Sequence, residues 1–432
     1  MLELREKMEG QLLSHWESLS PNDALFPLRK GAWERFRKIG FPGARHEAFQ
    51  YVPLRALFAE EWEKKEAKTV AREEIAPFVL PECRGSCLVF VDGCFSRKLS
   101  DLSSLPDKMA ILPLHEAMRS YGIFLQNRFA RLLKEESDPF ALLNAALQNE
   151  GAFVYIPPHL AIEQPIQILQ IASQDSLLIS PRLHMFLGKG AEASFISTVG
   201  TLEKKSWMNQ GIDLILEENA KLKWQDFAPV STESWNFTAC RAHLKKNAFL
   251  DLFSFSSGAK THRLDYKIHL CEENASAVLK GVALLQETLE SHIHVLVEHQ
   301  APHTHSRQHF KNVLQDKARA SFTGKIHVFS PAQKTEAYQL YNCLLLSDEA
   351  QGYAKPNLEI FADDVKASHG ATFSEVREEE LFYLRSRGLS VEQAKALLVA
   401  GFCQEIMEEV SLGSLQKELR QRLTAYLARR AS

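Results

Sequence analysis

The sequence is poorest in what a membrane or secreted protein needs. No apolar run in its 432 residues approaches the roughly 18–20 residues that span a bilayer. The opening stretch "MLELREKMEG" is charged and lacks a signal-peptide core, so a cytoplasmic location is expected. Charge of one sign is missing too. Against 51 basic residues stand 54 acidic ones, and a formal net charge of -3 offers no footprint for nucleic acid. Single-sign runs are short, and "EEWEKKEAK" at 60–68 reads as a solvated helix face. The seven cysteines are odd in number and scattered, which excludes a disulfide framework. Cys83, Cys87 and Cys94 match no zinc or cluster spacing and are expected to be small buried or half-buried side chains. A GxxxxGK[ST] loop, a GxGxxG after a strand and a GxSxG elbow are all absent. These absences remove P-loop ATPases, dinucleotide binders and elbow hydrolases.

What is present is the composition of a folded protein, 24% charged and 45% hydrophobic, of a length that suggests two or three domains. Residues 1–58 read as helical. Leu2, Met8, Leu12, Leu13 and Trp16 fall near helical spacing, "SPND" at 20–23 breaks it, and "GAWERFRKIG" forms a second helix stopping at Gly40. In "SCLVFVDGCFSRKLS" at 86–100, residues 88–91 form a buried strand and Asp92-Gly93 a hairpin turn. Residues 112–150 are helical again, with Asp138-Pro139 opening the last helix.

From about residue 152 short β-branched and aromatic runs take over, such as "IQILQI", "IDLILE" and "HIHVLV". A polar turn, an alanine and a new strand recur at Ala191, Ala220, Ala248, Ala275, Ala318 and Ala350. The intervals are 29, 28, 27, 43 and 32, and the long one has room for an extra excursion. Such a repeat predicts stacked coils, a parallel β-helix, over the rival sandwich of antiparallel hairpins. The end is helical. Ser390 and Gln393 form a capping box, and Ala394, Leu397, Leu398, Phe402, Ile406 and Val410 form an apolar stripe stopped by Gly413. Ser414 caps a second helix striped by Leu415, Leu419, Leu423 and Leu427.

Two polar clusters carry candidate chemistry. "HIHVLVEHQAPHTHSRQH" places His292 near His294 and His303 near His305 at same-face spacing, which suits a metal. The competing reading is a solvent-facing strand of histidines, since no HExxH or complete ligand set is present. The second cluster is "FADDVKASHGAT" at 361–372. Adjacent Asp363 and Asp364 would point to opposite faces of a strand and cannot flank one glycosidic bond, which disfavours a β-helix carbohydrate enzyme. Ala367, His369 and Ala371 would share one face, and His369 becomes a ligand only if a second chain supplies partners.

The segment "FTGKIHVFSPAQKTEAYQLYNCLLLSDEAQGYAKPNLEIFADDVKASHGATF", with "EELFYLRSRGLSVEQAKALLVAGFCQEI", closely resembles the SufB/SufD family of iron–sulfur cluster assembly proteins. "ARHEAFQYVPL" at 44–54, "VFVDGCFSRKLSDLSSLP" at 89–106 and "GAFVYIPPHLAIEQPIQI" at 151–168 resemble its SufD branch, and the likeness spans about residues 30 to 410. The resemblance implies an N-terminal helical region (1–80) and a right-handed parallel β-helix core (81–375, with a helical segment about 112–150). A C-terminal helical ATPase-binding domain (376–432) follows. It implies a non-catalytic scaffold subunit that pairs with a SufB-like chain and a SufC-like ATPase, or with a second copy of itself when that partner is absent. A nascent iron–sulfur cluster would be shared transiently with the SufB-like partner, and none would be bound stably by this chain alone. Neither nucleic acid nor membrane is an expected partner. The resemblance implies that Phe382, Tyr383, Arg385, Arg387, Leu397 and Phe402 form the ATPase-binding region. It also implies that His369 is a metal ligand at the subunit interface, facing a partner cysteine. One departure stands out: the family's usual "DDVKCSHGAT" has a cysteine where this chain has Ala367. Cys343 is the nearby thiol that could substitute. The alternative is a purely structural adaptor that recruits the ATPase without touching metal.

Overall fold

The computed structural model describes all residues except 1, 44–45, 64, 66–67, 149–150, 229–230 and 429–432, and the side chains of 128–130 and 132. Helices α1 (Leu2–Glu17), α2 (Phe26–Ile39), α3 (Leu54–Ala59) and α4 (Arg72–Ile75) come first. Strands β1 (Cys87–Val91), β2 (Cys94–Phe95) and β3 (Ala110–Pro113) precede α5 (Leu114–Glu135) and α6 (Pro139–Leu147). The solenoid begins with β4 (Gly151–Ile156), β5 (Ile166–Ala172), β6 (Leu177–Ile179), β7 (Arg182–Leu187), β8 (Glu192–Thr201), β9 (Ser206–Leu216) and β10 (Lys221–Ala228). It continues through β11 (Trp235–Leu244), β12 (Phe249–Ser257), β13 (Thr261–Leu270), β14 (Ser276–Leu285) and β15 (Glu290–His299). It closes with β16 (His305–Leu314), β17 (Arg319–Val328), β18 (Thr335–Leu345), β19 (Gln351–Ile360) and β20 (Val365–Glu375), before α7 (Glu378–Ser386), α8 (Val391–Met407) and α9 (Gly413–Ala428).

Successive strands alternate between two parallel sheets. One runs β5-β8-β10-β12-β14-β16-β18-β20, the other β7-β9-β11-β13-β15-β17-β19. This is the parallel β-helix predicted by the repeat, and the sandwich is excluded. Many of the coil turns carry a residue in the left-handed region. Asn219, Asn247 and Asn274 have φ of 60°, 56° and 60°, which asparagine tolerates better than other non-glycine residues. Their side chains form a ladder: Asn274 Nδ2 donates to Asn247 Oδ1 at 3.0 Å, and Asn247 Nδ2 to Asn219 Oδ1 at 2.9 Å. The alanine after each turn closes it through its N–H, as Ala220 does onto the Glu217 carbonyl at 2.9 Å. Ala191, Ala220, Ala248, Ala275 and Ala318 have no exposure at all. A larger side chain there would separate the coils.

The long interval between Ala275 and Ala318 is not an extra excursion. The first four alanines precede strands of the β20 sheet, whereas Ala318 and Ala350 precede β17 and β19 of the other. The small residue passes from one edge of the solenoid to the opposite edge. On the first edge, buried Thr304 and Thr335 take its place, and each hydroxyl closes the turn onto a carbonyl, Ala301 at 3.1 Å and Ala332 at 2.9 Å.

Helices cover the outer faces. α1, α2 and α6 pack on Trp207, Trp235 and Phe237 of the β19 sheet. α8 and α9 pack on Phe227, Phe253, Phe255 and Val282 of the β20 sheet. The predicted N-terminal helices, the β1–β2 hairpin turning on Asp92 and Gly93, and the Asp138 N-cap are all present. The Ser390–Gln393 capping box also forms. Three local expectations change. The described residues of 60–68 are not helical, and Glu63 instead bridges Leu177. α8 ends at Met407, and Gly413 opens α9 rather than stopping α8. The α9 N-terminus is capped from a distant segment, with the Ser414 N–H donating to Glu82 Oε1 at 2.8 Å.

Candidate functional site at the open end of the solenoid

The last coil is β19 and β20, and each is the terminal strand of its sheet. Among the described residues no strand pairs with their outer edges. β20 is exposed along most of its length. Phe361, Phe373, Ile360, Tyr338 and Leu340 are large apolar side chains left open to solvent around this end. Asp363 and Asp364 sit in the loop between the two strands, not on a strand, so the opposite-face argument does not apply to them. Their backbone is tied to the previous coil: the Lys334 N–H donates to the Asp364 carbonyl at 2.5 Å, and the Asp364 N–H to Gln333 Oε1 at 2.9 Å.

His369 lies on β20 in register with Gln339 of β18, which lies in register with Gln308 of β16. The two glutamines are buried and joined, Gln339 Nε2 to Gln308 Oε1 at 2.8 Å, and the exposed His369 ends the column they form. Ala367 is in register with Ala337, and both are small. His369 thus sits exposed on the terminal strand of its sheet. Cys343 cannot serve it. It pairs in register with Phe373, four residues along the strand, and is fully buried, with burial pushing its thiol up to about 11.

The residues expected to hold the ATPase divide into two groups. Phe382 and Tyr383 on α7 are 74% and 57% exposed, Leu397 on α8 is 53% exposed, and Arg385 and Arg387 are exposed beside them. The Arg387 guanidinium lies 5.5 Å from the Tyr383 ring centre. Phe402 points elsewhere. It is half-buried, and Lys311 of β16 lies 5.1 Å over its ring and donates to its carbonyl at 2.9 Å. The buried stripe of α8 is Ala394, Val399, Cys403, Ile406 and Met407, so the predicted stripe through Leu397 and Leu398 is displaced around the helix.

The histidine-rich segment is not a solvent-facing strand. His292 is buried between Ser321 Oγ at 2.8 Å and Glu290 Oε2 at 2.9 Å. His299 is buried between the Thr304 and Ser306 hydroxyls, both at 2.8 Å, and burial lowers it to about 3. His294 Nδ1 bonds Asp265 Oδ1 at 2.5 Å. His303 occupies a turn at φ 57° while His305 begins β16, so they do not share a strand face.

A groove of about 620 Å³ between the α5–α6 connection and the outer face of the β19 sheet was not foreseen from the sequence. Its floor is a buried ionic network. Arg241 Nε bonds Glu136 Oε2 at 2.6 Å and its other end pairs with Asp265, while Arg263 bonds Asp138 Oδ2 at 2.6 Å and Lys267 reaches Glu136 at 2.8 Å. Burial alone would raise the Glu136 carboxyl, but the charges of Arg241 and Lys267 bring it down to about 2. Burial likewise opposes ionisation of Asp265, and Arg241, His294 and Arg263 hold it well below the carboxylate range. The alternating polar positions of "RLDYKIH" at 263–269 are the sequence signal for this wall, while its partners Glu136 and Asp138 come from the α5–α6 connection more than a hundred residues earlier.

Comparison with known proteins gives the following. A family model described as SUF system FeS cluster assembly, SufBD core domain, matches residues 170–402, more than half of the chain. A second, the SufBD protein N-terminal region, matches residues 18–168. The chain is 29% identical over 407 residues to an iron–sulfur cluster assembly SufBD family protein of Synechocystis, covering 91% of this chain and 89% of that one. It is 27% identical over 404 residues to iron–sulfur cluster assembly protein SufD of Escherichia coli, covering 90% of each. It is 27% identical over 453 residues to the chloroplastic protein ABCI7 of Arabidopsis thaliana, covering 99% of this chain and 90% of that one.

Proposed function

Because the chain belongs to the SufBD family of iron–sulfur cluster assembly proteins, we propose that it is the non-catalytic half of an assembly scaffold. Its partner is a SufB-like chain docked on the open last coil. The observation that carries this reading is the pair of strand edges, β19 and β20, left unpaired among the described residues and ringed by Phe361 and Phe373. A long open strand edge invites pairing with another chain and is otherwise a hazard that folds suppress. Docking there brings His369 against the partner's surface, where partner thiolates complete a mixed imidazole–thiolate ligand set for the nascent cluster. The cluster is cargo, and this chain contributes one imidazole and no turnover. The exposed face of α7 and α8, with Phe382, Tyr383, Arg385, Arg387 and Leu397, receives a SufC-like ATPase.

The test is the cluster content of the complex reconstituted with His369→Ala. Iron and labile sulfide per complex fall severalfold while the chain stays folded. Unchanged content removes the ligand role. A second reading, an adaptor that touches no metal, is favoured by one observation: Ala367 supplies no thiol and Cys343 is sealed in the core. Unchanged cluster content in that variant, with the complex intact, would select it.

A further inference from the structure

On the outer face of β16, β18 and β20 the register partners form rows, and one row is left without a bond. Lys366 of β20 lies level with Glu336 of β18 and pairs with it at 3.0 Å. Further along, Asn342 Nδ2 donates to Thr372 Oγ1 at 2.7 Å, and Asn342 Oδ1 meets His309 Nε2 at 2.9 Å. Between these lie the rows Arg307–Tyr338–Ser368 and His309–Leu340–Gly370. The Arg307 guanidinium and the Tyr338 and Ser368 hydroxyls make no hydrogen bond or ion pair among the described residues. Arg307 is exposed, whereas the neighbouring cation Lys311 is held by Glu405 at 2.7 Å. The two rows line a cleft of about 460 Å³ that reaches β20, the terminal strand of its sheet. Its apolar part is Tyr338 and Leu340, each 38% exposed. Ser368 and Gly370, their neighbours on β20, are too small to cover them.

A segment that adds a strand to an open edge takes affinity from main-chain hydrogen bonds and specificity from pockets for alternate side chains. On a strand added to β20, the residues level with Ser368 and Gly370 point to this same outer face. Resting on the reading that a SufB-like chain docks at the last coil, we propose that this cleft is the specificity pocket for the partner's edge segment. It takes an Asp or Glu side chain whose carboxylate pairs with Arg307, and an apolar side chain two residues away that covers Leu340. A guanidinium receives a carboxylate through two parallel N–H···O bonds, so the contact selects position as well as charge. A slip of one residue would turn both partner side chains to the opposite face and lose the pair. The open edge thus supplies general pairing, and the Arg307 row chooses the partner and its register.

The experiment measures the affinity of the full-length chain for the SufB-like chain from the same source, at several salt concentrations. Arg307→Glu should weaken association about tenfold or more, chiefly through a slower on-rate. Arg307→Lys should stay close to wild type, and Arg307→Gln should bind with a shallower salt dependence. The urea midpoint of each variant should match wild type, because the side chain bonds nothing in this chain. Phe361→Asp with Phe373→Asp serves as the control for the docking reading. If that pair abolishes association and Arg307→Glu leaves it unchanged, docking stands and the specificity pocket is refuted. If both variants associate normally, the docking reading fails and takes the pocket with it. Equal losses in Arg307→Lys and Arg307→Glu would contradict a role for the charge. A variant that loses only self-association would assign the cleft to a second copy of this chain and overturn the proposal.

Discussion

The two ends of the solenoid are made of the same coil and finish in opposite ways. At the first end, the β20 sheet terminates in the two-residue strand β2, folded back antiparallel on β1. The other sheet terminates in β3, four residues long, antiparallel to β4 and ending at Pro113. Leu114, Ala117 and Met118 of α5 then bury themselves close by, beside Phe153. Short edges, a proline and a covering helix are the usual means of blunting a sheet. At the last end, β19 and β20 run ten and eleven residues with no strand paired to their outer edges among the described residues. One protein thus contains both a finished edge and an unfinished one. The edge that the chain closes at its first end is left open at its last, among the described residues.

The comparison predicts unequal responses to substitution. The largest effects belong to the closed, buried parts. Arg241→Leu strands Glu136 and Asp265 as buried charges without their main counter-ion and should cost about 3–5 kcal/mol. Phe90→Ala, in strand β1 of the first-end hairpin and 1% exposed, should cost about 3–5 kcal/mol through transfer and cavity terms. Urea denaturation of either variant reads the loss as a lower midpoint, and a midpoint within error of wild type would contradict the buried assignment.

A pH-dependent effect follows in size. Burial raises the Asp226 carboxyl inside the solenoid to about 7, with Ser197 offsetting only part of that shift. Below about pH 4 both folded and unfolded chains hold this proton. Between about pH 4 and 7 the unfolded chain releases it while the folded chain keeps it, so rising pH removes stability over that window. The total is on the order of 4 kcal/mol, from about three pH units at about 1.4 kcal/mol each. Asp226→Asn should flatten that slope and make the chain more stable than wild type at pH 8. An unchanged pH profile would show that Asp226 titrates normally.

The smallest effect on stability is expected at the open end. Phe361→Asp with Phe373→Asp should alter the isolated chain by less than about 1 kcal/mol, since exposed sites seldom matter to folding. The same pair should abolish partner pairing. A large loss of stability would mean that these rings belong to the chain's own core.

Legibility of the sequence followed the same division. The coil was readable because each turn is local: a left-handed asparagine, an alanine and a strand lie within a few residues of one another. The passage of the alanine to the opposite edge was not, since Thr304 closes its turn by a hydroxyl that looks unlike a methyl in sequence. The family motif located His369, and the period-2 rule for a strand put His369 and Ala367 on a common face. It misplaced Asp363 and Asp364 because nothing local marks the loop they occupy. The histidine segment was misread because its partners Asp265 and Ser321 arrive from neighbouring coils 29 residues away. In α8 the apolar residues nearly encircle the helix, so composition could not choose which of Leu397 and Val399 faces the solenoid.

The most direct test of the account is the mass and subunit count, by light scattering, of this chain co-expressed with SufB-like and SufC-like proteins from the same source. The account predicts one copy of this chain, one SufB-like chain and two ATPases, and the loss of the SufB-like chain when Phe361 and Phe373 are both replaced by aspartate. A chain that stays alone, or a complex that survives the double replacement, would contradict the claim that the unfinished end of the solenoid is where its partner docks.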